Sequence, residues 1–319
     1  MRVARRVQGL FREAAQGRIE VRARFLGALV AEVPAARRVG SLGLGRLGTG
    51  EDKALLWDLL QEERVDAVRL ALAVAWVRCG GKTEEALEFL AVRRAPGLSE
   101  KPEVWVDEAR GVLETNPSDL RGRLDADPGG GREVLLHLCA HQWPEDAERI
   151  QRVQQAAGRR GEHACLEATG RLGSPSGRSV LVDGLDEMHV DPGRGLAHRR
   201  VSAEALGRLG LPEGFRPLKR ALFAEEAALG SPGAGMGVQF PVRDTVLRAI
   251  GELQDRRALP LFLSWLGAEA ESPLGGLHLP AMEGLWKLGA SAVPALEAVA
   301  SKESGPAARN AQVVLAAIS

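Results

Sequence analysis

The sequence predicts an all-α protein, an α-solenoid of stacked antiparallel helix pairs, on three observations. A helix of small and apolar residues, a short Gly-centred turn and a second helix with Ala, Leu or Pro near its start recur at 42–60, 71–90, 164–185, 202–222, 245–266 and 281–300. The apolar residue that closes the first helix of each copy falls at Leu47, Cys79, Leu172, Leu209, Leu253 and Leu288. The intervals of 32, 37, 44 and 35 residues between neighbouring copies are those of a two-helix repeat with loop insertions, and the 93 residues from Cys79 to Leu172 can hold about three more units. The apolar period is also helical, as in Leu247, Ile250, Leu253 and then Leu259, Leu261, Phe262, Trp265. SVLVDGL (179–185) is a β-compatible run, but its place in the Gly-turn pattern makes it helical as well.

Each element has a local reason. The opening 30 residues are basic and partly amphipathic, which suits a helical layer at the start of the array. Thr49 can cap the helix that follows it, with Asp52 in the first turn. In the middle of the chain, 103–114, 132–143 and 145–157 are helix candidates, and Asn116-Pro117 reads as a cap followed by a helix start. In AIGELQDRRALPLFLSWL (249–266), Gly251 marks a close approach of adjacent helices and Gln254 to Arg257 forms the turn. Pro260 is tolerated in the first turn of the second helix, where its missing N–H has no partner to lose. Ser304 and Pro306 introduce a terminal capping helix. The expected organisation is a single α-solenoid over 1–319, with more regular repeats at 39–95 and 162–319 and a divergent middle at 96–161.

The segments EALGRLGLPEGFRPLKRAL (204–222), LRAIGELQDRRALPLFLSWL (247–266) and GLWKLGASAVPALEAVA (284–300) resemble the HEAT-like repeat family, especially the short repeats of proteins related to phycobilisome lyases. Looser copies lie around 42–90 and 162–185, so the resemblance covers roughly two-thirds of the chain. It implies a binding or scaffolding surface more than a shared catalytic centre. Some relatives support bilin attachment, and this chain carries no motif onto which that activity transfers residue by residue.

Composition narrows the classes. The 319 residues carry 42 basic and 42 acidic side chains, which argues against a basic footprint over the whole surface. Residues 1–50 are the exception, with ten arginines against three glutamates, a balance of +7. Three cysteines, Cys79, Cys139 and Cys165, are too few and odd in number for a secreted disulfide framework, and point to a reducing, cytoplasmic setting. No apolar run approaches the roughly 20 residues that span a bilayer, and no secretory signal pattern opens the chain.

Several constellations invite chemistry. His137 and His141 share a helix face at i, i+4 with Cys139 pointing away, but a pair falls short of the three or four protein ligands that zinc sites take. Asp183, Asp186, Glu187 and His189 cluster carboxylates beside an imidazole, yet lack the regular oxygen-ligand spacing of a calcium loop, so a solvated loop between repeats is expected. Gly129-Gly130-Gly131 lacks the Lys-Ser/Thr of a P-loop and reads as a helix connection. Arg2, Arg5, Arg6, Arg12, Arg18, Arg22 and Arg24 fit a solvated basic face or an anion-binding one. Trp57, Trp76, Trp105, Trp143, Trp265 and Trp286 recur near helix faces instead of alternating with arginines, which favours packing over a base-stacking track.

No catalytic, cofactor-binding or metal-ligating residue is assigned, and no cofactor is expected. The expected function is a non-enzymatic module that binds or scaffolds another protein through a HEAT-like repeat surface. The alternatives are a lyase-like enzyme or chaperone for a covalently attached chromophore, and nucleic-acid binding through the basic N-terminal region.

Overall fold

The structure, a computed structural model, describes residues 19–92, 102–126, 139, 146, 162–173, 177–186, 192–229, 240–268, 276–302 and 304–318. Among them the regular elements are all helical, so the all-α expectation holds, and SVLVDGL lies within a helix. The chain forms two compact units, one made of the described residues through Gly177 and the other of those from Arg178 onward.

In the first unit the helices are α1 (Ile19–Leu29), α2 (Pro34–Leu47), α3 (Lys53–Glu62), α4 (Asp66–Arg78), α5 (Thr83–Val92), α6 (Pro102–Glu114), α7 (Pro117–Ala126) and α8 (Glu162–Leu172). Prolines open α2, α6 and α7, where the missing N–H is one the helix leaves unbonded anyway. Asn116 caps α7 as expected, its Oδ1 accepting from the Ser118 N–H at 2.9 Å. Thr49 departs from expectation. Its hydroxyl makes no cap to the backbone and donates instead to the Asp52 carboxylate at 2.6 Å, a charged acceptor three residues ahead in the short 3-10 turn (Gly50–Asp52) that leads into α3. Helix α2 packs between α1 and α4, and α4 also packs on α3, α5 and α6. Phe25, Leu42, Leu44, Leu56, Leu60 and Leu90 are wholly buried here, each contributing about 1.5–3 kcal/mol by leaving water.

The second unit contains α9 (Arg178–Asp186), α10 (Pro192–Leu209), α11 (Phe215–Leu229), α12 (Phe240–Glu252), α13 (Leu259–Trp265), α14 (His278–Leu288), α15 (Val293–Lys302) and α16 (Pro306–Ile318). Alternate helices pack side by side, α10 on α12, α12 on α14 and α14 on α16, while α11 packs on α12, α13 on α14 and α15 on α16. Asn310 in α16 donates through Nδ2 to the carbonyl of Leu266 at 2.8 Å, satisfying a backbone oxygen just past the end of α13.

A single joint recurs in both units. The six apolar markers each close a helix or follow its last residue, and the next residue in every case has positive φ: Gly48 (65°), Gly80 (91°), Gly173 (66°), Gly210 (68°), Gln254 (48°) and Gly289 (59°). Two residues before three of the markers stand Gly45, Gly207 and Gly251, and each meets the residue four before the next marker in the neighbouring helix. A Cβ on Gly45 would stand 2.6 Å from Ala75 Cα, one on Gly207 2.8 Å from Ala249 Cα, and one on Gly251 3.2 Å from Gly284 Cα. Small residues at these points let backbones approach closely, so register and closest contact are fixed by the same few positions.

The helix stop can be tested apart from packing. A Cβ at Gly48 would meet nothing within 4 Å, so Gly48→Ala is expected to cost about 1 kcal/mol through the left-handed backbone alone, read from urea unfolding. Gln254 carries that backbone without being glycine, and its side-chain amide donates to the Lys287 carbonyl in the last turn of α14 at 2.7 Å.

Candidate functional site

The turns tie neighbouring helices together. In the turn after α12, Asp255 accepts the Arg257 N–H at 2.9 Å and pairs with its guanidinium. Arg257 then reaches across to the Pro212 carbonyl at 2.9 Å, with its Cζ 4.9 Å from the centre of the Phe215 ring. In the first unit Lys53 does the same work, donating to the Gly80 carbonyl at 2.9 Å with its ammonium 5.5 Å from the centre of the Trp76 ring. The paired arginines of the 249–266 stretch therefore include one that holds adjacent turns together.

The expected chemical clusters resolve unevenly. His137, His141, Glu187, His189, Gly129–Gly131 and Arg2, Arg5, Arg6, Arg12 and Arg18 lie outside the described residues. Cys139 and Cys79 are buried, and burial pushes both thiols up, away from the thiolate that nucleophilic or redox chemistry needs. Asp183 and Asp186 sit in α9, not in a loop as expected, because the apolar spacing of Leu181 and Leu185 carries the helix through them. Both are exposed, and Asp186 takes the Arg220 guanidinium of α11 at 2.7 and 3.0 Å, a surface tie between two helices. Trp57 stacks near Trp76 and Phe89 at centroid distances of 4.6 and 5.3 Å, and Trp286 donates to the Ala317 carbonyl at 3.3 Å; these tryptophans pack, as expected.

Among the N-terminal arginines, Arg22 belongs to the fold. It grips Asp52 with bonds of 2.6 and 3.2 Å, and Asp52 is only 1% exposed. Burial pushes the Asp52 carboxyl up, but hydrogen bonds from Arg22 and Thr49 together with the Arg22 charge hold it below its ordinary range. A carboxyl depressed in the folded state contributes stability above its unfolded pKa of about 3.9, and that stability is lost as pH falls through the lower folded value. Asp52→Asn is therefore expected to be less stable than wild type at neutral pH, with the gap closing below about pH 4 in thermal melts.

The close-packed layer of the second unit carries an ordered set of charged side chains. Arg200, Glu204 and Arg208 of α10, Asp244, Arg248 and Glu252 of α12, and Glu283 and Lys287 of α14 stand in corresponding positions, and their charges alternate from one helix to the next. Arg248 pairs with Glu283 across the α12–α14 joint and with Asp244 at 2.8 Å, while Lys287 pairs with Glu252 across the same joint and with Glu283 at 2.7 Å. Lys287 is 3% exposed, so its ammonium is held inside this lattice. Beneath it, Arg199 meets Glu225 at 2.7 Å and Arg243 meets Glu226 at 2.6 Å, joining α10 and α12 to α11. The arrangement offers mixed charge along a row of neighbouring helices.

Sequence reasoning missed the pairs that join different helices because their partners lie 17, 26 or 35 residues apart. The signal was present: aligning the chain on Leu209, Leu253 and Leu288 places Arg208, Glu252 and Lys287 in one row and Glu204, Arg248 and Glu283 in another. No helix among the described residues is long and apolar enough to cross a membrane. No protein-family model matches the chain, and no curated protein matches it.

Proposed function

We propose that the chain is an α-solenoid of HEAT-like repeats that binds another protein as a non-enzymatic scaffold. The observation that carries this reading is the recurring joint, with the same glycine-to-small-residue contact at the same distance from the helix stop in both units. Repeats joined this way form a stiff row of helices, and binding on such rows is distributed over successive repeats. We take the layer that packs through glycine and alanine as the partner-facing one, because its charged side chains stand in rows along successive helices. Its alternating charges favour a protein partner of mixed polarity over a polyanion. Engagement of Arg22 by Asp52 weakens the nucleic-acid alternative. Cys79, Cys139 and Cys165 are thiols, which fits the cytoplasm.

The test is capture of the intact protein with its partners from its native cells, followed by carboxyl-directed cross-linking and peptide mapping. The reading expects a specific protein whose cross-links fall on Glu204 and Asp244. Recovery of no specific protein, together with saturable nucleic-acid binding, would replace it with the nucleic-acid reading.

A further inference from the structure

Helix α11 presents an exposed face with Arg216, Lys219, Arg220 and Phe223. Its two acidic residues, Glu225 and Glu226, are engaged by Arg199 and Arg243, so Arg216 and Lys219 make the solvent side cationic, beside an Arg220 that is held by Asp186 of α9. On the same side Phe223 is 50% exposed, with the Lys219 ammonium 5.8 Å from the centre of its ring. The spacing 216, 219, 220, 223 sets these side chains along one stripe of the helix. Isolated exposed apolar residues are ordinary, but a half-exposed phenylalanine inside a cationic stripe has the composition of a binding anchor, an aromatic flanked by steering charge.

The opposite character is found on the same chain. Helices α3 and α5 of the first unit turn Asp58, Glu62, Glu84 and Glu88 to solvent, and Leu55 is 39% exposed among them. Asp58 and Glu62 are one turn apart on α3, as are Glu84 and Glu88 on α5. A second copy of the chain thus carries a face whose sign is the reverse of that of α11, with its own apolar centre.

We propose that copies of this chain associate head to tail, the Arg216–Lys219–Phe223 stripe of one seated on the α3–α5 face of the next. Such a contact joins two different surfaces, so each copy keeps one of each free and the assembly grows into a ring or an open chain. Its strength comes from exposed charges around a small apolar centre, so it is weak and sensitive to salt. This holds whether or not another protein binds the close-packed layer.

Sedimentation velocity of the intact protein over a concentration series tests it directly, at about 0.1 M and about 1 M salt, where the screening length falls from about 10 to about 3 Å. The weight-average sedimentation coefficient should rise with concentration at the lower salt and stay flat at the higher. Arg216→Ala/Lys219→Ala and Asp58→Asn/Glu62→Gln, folded by circular dichroism, should each remain monomeric alone. Mixed together they should form a one-to-one dimer and stop there, because only one competent interface remains. A wild-type protein that is monomeric throughout overturns the proposal, as does association that strengthens with salt or survives both pairs of substitutions. The wild-type salt series decides the matter even if a variant fails to fold.

Discussion

Gly45→Val is expected to destabilise the protein by about 3 kcal/mol or more, while Gly251→Ala leaves it within about 1 kcal/mol of wild type, both read from urea unfolding. The difference lies in what the added atoms meet. At Gly45 a Cβ would stand 2.6 Å from Ala75 Cα and 2.9 Å from its Cβ, and backbone cannot move aside without separating α2 from α4. The two further methyls of valine must then be placed in a joint already closed. At Gly251 the nearest atom is Gly284 Cα at 3.2 Å, tight but close to ordinary contact, and replacing a helical glycine returns about 1 kcal/mol of helix propensity. Overpacking and propensity therefore oppose each other, and overpacking prevails only at the first site. Equal effects at the two positions would mean that the close approach is not what sets the spacing of the layer.

Arg199→Ala is expected to cost about 3–5 kcal/mol, because it strands a buried carboxylate. Glu225 is 1% exposed and Arg199 5%, and the 2.7 Å bond between them joins α10 to α11. Removing the cation leaves Glu225 with its desolvation and without its partner. Replacing both residues with leucine removes the buried charge as well, so the double variant should recover most of the loss. A double-mutant cycle in thermal or urea unfolding separates the two cases, and a coupling near zero would show that the pair is not joined in the folded protein.

The sequence made the helices legible wherever local chemistry decides them. The six apolar markers fall at helix ends because the residue that follows must leave the right-handed helix, and glycine does so at little cost. Gly251 could be read as a close-approach point because a glycine in an otherwise strong helix costs stability unless something needs the space. Thr49 and the acidic run at Asp183 were less legible, since each depends on a neighbour in space or on apolar residues a turn away. The ion lattice was least legible. Arg199 and Glu225, or Lys287 and Glu252, meet only once the helices are stacked, and no local pattern encodes a partner 26 or 35 residues away. Arg256 and Arg257 divide along the same line: their place in a turn follows from sequence, whereas the reach of Arg257 to Pro212 and Phe215 follows from packing.

The claim on which the rest depends is that one helix-to-helix joint, set by small residues at fixed distances from the helix stops, builds the array. Site-directed disulfide trapping measures that register directly. With the native cysteines replaced by alanine, the Gly207→Cys/Ala249→Cys protein should close a disulfide under mild oxidation, since a Cβ at 207 faces the Ala249 Cβ at 3.0 Å, within a small adjustment of bonding reach. The Gly207→Cys/Leu253→Cys protein, displaced by about one helical turn, should stay reduced. Trapping of the displaced pair, or of neither in a folded protein, would contradict the joint and the repeat architecture proposed from it.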